Sequence, residues 1–452
     1  MKKDNQIITM VLVIIILIAI LACIVYFIIQ TNSKNQNQVA DIAEEQEITQ
    51  QSSSESTAYY GAEEITEDTQ INSGTFESTE TDENAILVSG NINVTLSNIT
   101  VNKTGDSNGG DDSNFYGNNS GIIAKDGANL TISGITVSTN ADGANGVFSY
   151  GGSATTSNTS SDGTTVTISD SEINTTGDNS GGIMTTGGGI MIASNLTINT
   201  SGISSAAIRT DRGGGTVTVD GGTYTTNGAG SPTIYSTADI TVSNATLTAT
   251  VAEGIVIEGK NSVTIDNCTL IDNNTTLNGQ STTYKNIFLY QSMSGDAADG
   301  KSEFTATNSS ITTNYGDTFY ITNTSCTITL ENNTIINNDS SGNFLRAKAD
   351  SWGNTGSNGG EVTLVMTNQE ATGNIVIDDI STLDMNMSTN SYYEGTINGD
   401  NTAKSITLTL DSSSKIKLTG DSYITSLEDE DLEYSNIDFN GYTLYVNGEA
   451  IN

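Results

Sequence analysis

The sequence predicts an all-β solenoid of stacked coils, and three observations predict it. One phrase recurs ten times: apolar, Thr, apolar, a polar residue, then Asn, Asp or Gly, as in Val94-Thr95-Leu96-Ser97-Asn98 and Val263-Thr264-Ile265-Asp266-Asn267. The copies begin at Val94, Leu130, Val166, Ile190, Val217, Ile240, Val263, Phe304, Ile328 and Val362, and the shortest spacings are 23–27 residues. Such a period means stacked supersecondary units. Finally, Val, Ile and Thr alternate with period two, and no helical period follows residue 30.

Each element of the phrase has a physical reason. Alternation sends Val and Ile inward and Thr outward. The fifth position is Asn, Asp or Gly in eight of the ten copies, with Ser194 and Met366 as exceptions. These three types tolerate the left-handed region that a sharp bend needs. A second short strand follows the bend, as in Ile99-Thr100-Val101 and Leu196-Thr197-Ile198. Spacings of 34–41 residues are the same coil with a loop inserted.

Coils of this length with an Asn-rich bend resemble the right-handed parallel β-helix of the pectate-lyase-like superfamily. The Gly/Asn/Thr-rich, His-free style is similar to adhesin-like surface proteins of Gram-positive anaerobes. The resemblance covers about residues 86–452 and is specific for fold. It leaves activity open, because one fold hosts many functions. It implies an all-β, single-stranded right-handed parallel β-helix.

Other segments complete the organisation. Residues 1–6 carry Lys2 and Lys3. Residues 7–29 are apolar apart from Thr9, long enough to span a bilayer as a signal anchor. Lys34 is the last basic residue before Lys103, and this bias places the N-terminus inside and the β-helix outside the cell. Ile20-Leu21-Ala22-Cys23 looks like a lipoprotein processing site, but six apolar residues follow Cys23. Residues 30–85, with 13 acidic residues and one Lys, read as a flexible stalk. Residues 86–404 hold the repeats, and 405–452 read as terminal coils and a cap.

Charge and composition bound the function. Net charge is −38, which disfavours nucleic acid as a partner. The expected partners are the membrane, through the N-terminal helix, and a polysaccharide or cell-surface glycan. With no histidine, Ser-His and Cys-His catalysis and His-ligated zinc are excluded. Cys268 and Cys326 sit beside repeat strands and read as small core residues.

A third strand column precedes each phrase, and here two adjacent residues are both apolar. One set is core. The other, with Phe148, Arg209, Tyr235, Phe288 and Tyr320, is expected to face outward. Insertions at Gly151–Gly163, Gln291–Lys301 and Ala347–Gly360 leave from one edge of this column. They would wall an aromatic-floored groove for sugar rings, or simply cover the column as satellite core.

Catalytic readings are thin. Glycoside hydrolysis needs two carboxylates across one bond, and no sequence pattern singles out two. Resemblance to pectate lyases implies Asp-bound calcium and an Arg base. Arg209, Asp211 and Arg212 are the only residues suited to that role. The bland alternative is charge pairing with Asp211. No cofactor is required. Calcium is the one candidate, at Asp106, Asp111 and Asp112 or at Asp296 and Asp299, where Asp/Asn/Gly loops supply oxygen ligands.

Overall fold

A computed structural model describes residues 57–152 and 160–451. The expected membrane anchor at 7–29 and most of the expected stalk lie outside the described residues. Among the described residues, no helix is long and apolar enough to cross a membrane.

Each coil contributes three short strands, and each strand pairs in parallel with its counterpart one coil away. Sheet I is the column before the phrase. It has twelve strands, running from Gly61–Ile65 through Ile208–Thr210 and Ile255–Glu258 to Ile375–Ile377. Sheet II is the phrase itself, and sheet III is the strand after the bend. In two coils, Gly189–Thr200 and Gly215–Thr226, one continuous strand turns from II into III. Coils are spaced by the ordinary strand separation of about 4.8 Å, with their hydrogen bonds along the stack axis.

The inward ladder is Val94, Leu130, Val166, Met191, Val217, Ile240 and Val263, all fully or almost fully buried. It continues through Phe304, Ile328 and Leu364. Two copies of the phrase therefore begin later than the alternation alone predicts, at Met191 instead of Ile190 and at Leu364 instead of Val362. The shift removes both exceptions at the bend. The fifth positions become Asn195 and Asn368, and both have positive φ, 50° and 47°. At Met191 a one-residue slip would turn the apolar set outward, so core burial decides the register; at Leu364 the shift is two residues, Val362 is buried as well, and the pairing of Leu364 with Ile328 decides it.

The bend is stitched by amides. Asn267 Nδ2 donates to Asn244 Oδ1 at 2.7 Å, and Asn332 Nδ2 to Asn308 Oδ1 at 2.8 Å. Cys268 and Cys326 are buried and unbridged, as expected.

One boundary moves. The acidic segment was expected to stay unstructured to residue 85, but Gly61–Ile65, Thr69–Ile71 and Gly74–Ser78 form a coil. Ile71 pairs with Leu96 and Phe76 with Val101. Glu64 and Glu77 are exposed positions of these strands and Glu63 is half-buried, and this density of acids hid the sparse inward apolar residues. At the other end, the stretch from 405 continues the stack. It closes with Glu449–Ala450, which pairs antiparallel to Leu444–Val446.

Candidate functional site

Sheet I turns one apolar row inward and a second row outward. The outward row runs in register through Phe148, Met184, Arg209, Tyr235, Val256, Phe288, Tyr320 and Arg346. All five residues expected on this face are in that row. They do not form an open floor. Phe148 and Tyr320 are fully buried and Phe288 is 3 % exposed. Leu87, Ile123, Phe148 and Met184 form one satellite cluster, covered by Tyr59 and Tyr150. Val256, Phe288 and Tyr320 form another, with Tyr235, Tyr290 and Trp352. The aromatic groove is thus corrected to a loop-covered second core. Eight apolar row positions, from Leu87 to Tyr320, could not be left in water while loops were available to cover them, since each large side chain gains about 1.5–3 kcal/mol on burial.

Between the two clusters the row is charged. Arg209 Nη2 bonds Asp211 Oδ2 at 2.7 Å. Arg212 grips Asp296 Oδ1 through Nε at 3.1 Å and Nη2 at 2.8 Å. The Arg212 guanidinium also lies 4.0 Å from the Phe115 ring. Phe115 belongs to the insertion that carries the short helix Asp111–Asn114, so Arg212 clasps loops arriving from two directions.

Glu258, which sequence reasoning missed, sits under the Gln291–Lys301 loop. Its carboxylate accepts hydrogen bonds from Tyr235, Tyr290 (3.0 Å) and Ser292. Burial pushes its pKa up against the pull of these hydroxyls. Burial also raises Asp211, with the Arg209 guanidinium pulling it back. Continuing the sheet I register just past the strand ends brings Asp211 opposite Thr237 and Thr237 opposite Glu258, two strands apart. Two strand spacings put their backbones about 10 Å apart. Only register across coils could have found this pair, because the two residues lie 47 positions apart in the chain.

Open space lies one step further, along the edge where sheet I turns into sheet II. A cleft of about 510 Å³ is bounded by Ser161 on one side and by Asp296 and Ala298 on the other. Its floor includes Gly214, Thr237, Asp239, Lys260 and Asn261. A second cleft of about 610 Å³ lies across the Gln291–Lys301 loop, reaching Asn354, Ser357 and Glu361. Met293, 68 % exposed, and Lys301 line it. The three insertions do form walls, as their shared edge suggested. The floor between them is glycine, hydroxyl, amide and paired charge.

The metal candidates separate. Asp106 Oδ1 accepts the Asp142 N–H at 2.9 Å. Asp111 and Asp112 lie at the start of the short helix. Asp296 is held by Arg212 and lines the first cleft, whereas Asp299 lines the second. Among the described residues, no group of three or more Asp, Glu or Cys side chains is arranged to hold a metal ion.

Residues 233–377 match a family model described as a right-handed β-helix region. These residues contain Thr237, Glu258, the Gln291–Lys301 loop and the whole second cleft. No curated protein and no solved structure gives a significant match to the chain.

Proposed function

Taking the chain as a right-handed parallel β-helix of the pectate-lyase-like superfamily, we propose that it is a membrane-anchored, extracellular, non-catalytic protein that binds a neutral polysaccharide. The observation that carries the reading is the pair of clefts flanking the Gln291–Lys301 loop on one edge of the rod. They stand in line along the stack, so a linear chain can cross both. Their linings offer hydroxyls, amides and single charges, the groups that hydrogen-bond sugar hydroxyls. Lys260 shares the first cleft with Asp239 and Asp296, and Lys301 the second with Asp299 and Glu361. Acids outnumber bases in both, which repels uronic-acid polymers. The apolar run at 7–29 and the preceding lysines support the anchor and an outward β-helix.

The test is a glycan array on the purified chain, with and without calcium. Binding to neutral glycans is expected, with loss in a Lys260→Ala/Asp239→Ala variant and in Met293→Asp. Binding only to uronates, or binding untouched by these changes, refutes the site.

A pectate-type lyase would draw its base from Arg209 or Arg212. Both guanidiniums are committed to carboxylates, Arg209 to Asp211 and Arg212 to Asp296, and neither is free to approach a substrate proton. No unsaturated product is therefore expected from polygalacturonate. A second reading has one observation behind it, the Asp211 and Glu258 spacing. Inverting glycosidases hold two carboxyl groups roughly 6.5–9.5 Å apart to admit a water. Here the Gln291–Lys301 loop would have to lift first, since Ser292 sits on Glu258. Reducing ends released from the bound glycan, and lost in both Asp211→Asn and Glu258→Gln, would establish hydrolysis.

A further inference from the structure

The corner joining sheet III to sheet I carries polar side chains inside the rod. At the last inward position of sheet III, successive coils place Thr175, Thr200 and Thr226, and later Asp272 and Thr313. The threonines at 175 and 200 are satisfied by the turn that follows, donating to the carbonyls of Ser180 and Ser205 at 2.5 Å each. Asp272 is not satisfied in this way. Its side chain is fully buried; the Asn274 backbone N–H leans toward the carboxylate and Lys285 pulls on it from a distance, but neither oxygen closes a well-formed hydrogen bond.

Two amides share the corner. Asn274 and Asn286 are both fully buried, and the Oδ1 of each is also without a partner. Their NH2 groups are committed elsewhere, which fixes the way the oxygens face. Asn274 Nδ2 donates to the Lys285 carbonyl at 2.9 Å. Asn286 Nδ2 donates to the Thr312 carbonyl at 3.2 Å and to Thr313 Oγ1 at 3.0 Å. Thr313 is the register partner of Asp272. Asn286 Oδ1 faces Gly254, where an added Cβ would meet it at 2.2 Å.

Gly254 follows Glu253, whose Oε1 is 3.4 Å from Lys285 Nζ. That pair neutralises itself. What remains is one carboxylate and two amide oxygens, all acceptors, in a water-excluded corner. A proton on Asp272 supplies one donor for four unpartnered oxygens. Buried acceptors left unmatched carry their full desolvation penalty. A cation satisfies all of them together, and hard oxygens select a hard ion. Burial pushes the Asp272 carboxyl well above its usual range, and a single positive charge beside it is what would let it ionise there.

We propose that this corner binds a dehydrated monovalent cation, Na⁺ or K⁺, through the carboxylate of Asp272 and the amide oxygens of Asn274 and Asn286. One carboxylate with two amides differs from the acidic calcium sets considered above. The site lies inside the rod, so it is independent of the clefts and of any glycan.

Thermal unfolding of the full chain in NaCl, KCl and choline chloride at matched ionic strength tests it. The midpoint should climb with the logarithm of Na⁺ or K⁺ concentration and stay flat in choline. The near-isosteric Asp272→Asn should keep the fold and lose the ion dependence. Equal midpoints in all three salts overturn the proposal in favour of a protonated Asp272 or buried water. So does an ion dependence that survives in Asp272→Asn. If that variant fails to fold, a wild-type crystal soaked in a rubidium or thallium salt decides. An anomalous peak between Asp272, Asn274 and Asn286 supports the site, and its absence there overturns it.

Discussion

Replacing Phe288 by alanine separates a ligand floor from a second core. Phe288 is 3 % exposed and stacks on Tyr290 at 4.4 Å between centroids and 11° between planes. It also meets Tyr320 at 5.8 Å and Trp352 at 5.2 Å. Truncating a buried Phe to Ala costs about 3–5 kcal/mol through lost transfer energy and the cavity left behind. Trp352 is the single tryptophan of the chain and lies on the loop that covers Phe288, so its fluorescence reports this region alone. A loss of about 4 kcal/mol at a urea slope of about 2 kcal/mol/M lowers the midpoint of the Trp352 transition by about 2 M. The emission should also move to the red before unfolding, as the 347–360 loop loosens. Glycan binding in the neighbouring clefts should weaken only as far as the loop does. The reasoning fails if Phe288→Ala leaves the Trp352 midpoint and emission unchanged while abolishing glycan binding, for Phe288 would then be touching the ligand.

Three further outcomes follow from particular contacts. Asn244 has φ 57°, donates to Asp220 at 2.6 Å and accepts from Asn267 at 2.7 Å, so Asn244→Ala loses both ladder bonds and strains the bend by about 1–2 kcal/mol, while Asn244→Gly loses only the bonds; calorimetric midpoints should rank wild type, Gly, Ala. Burial works against the charge on Asp411, but the Thr389 N–H and the Ser413 and Ser414 groups outweigh it and hold the carboxyl at about 2, below its ordinary 3.8. A depressed carboxylate stabilises the fold above its unfolded pKa and loses that contribution as pH falls through the folded one. Asp411→Asn should therefore cost about 1 kcal/mol at neutral pH, after allowance for solvent screening, and nothing below about pH 2; urea midpoints at several pH values measure it. Arg212→Ala should free Asp296 and Phe115 together, raising amide exchange in both the 104–121 and 291–301 segments; unchanged exchange in either segment removes the clasp.

The coil, its bend and its inward row were readable because one residue type satisfies each steric demand, as the positive φ at Asn98, Asn267 and Asn332 illustrates. The two misplaced phrases, at 190 and 362, were ambiguous because apolar residues occupy adjacent positions there. Only contact with the neighbouring coils selects Met191 and Leu364. The outward row was readable in membership and misread in exposure. Loops tens of residues away in sequence cover Phe148 and Tyr320, and local alternation carries no trace of that. The clefts were foreshadowed by the common edge of the insertions, but their floor residues come from different coils. Asp272 passed as an ordinary acid because a strand end looks solvent-facing until the next corner closes over it.

Hydrogen bonds that run along the stack axis have a mechanical consequence. Ile240 follows Val217 by 23 residues and lies one coil above it. As extended chain those residues would span roughly 78 Å, against about 4.8 Å in the stack. A load applied at one end therefore acts on the terminal coil alone and peels it strand by strand, leaving the rest intact. Each release would pay out some 70 Å of slack. Under tension the rod would behave as a ratcheted tether, giving length in steps set by the size of each coil before anything bound beside the central coils is disturbed.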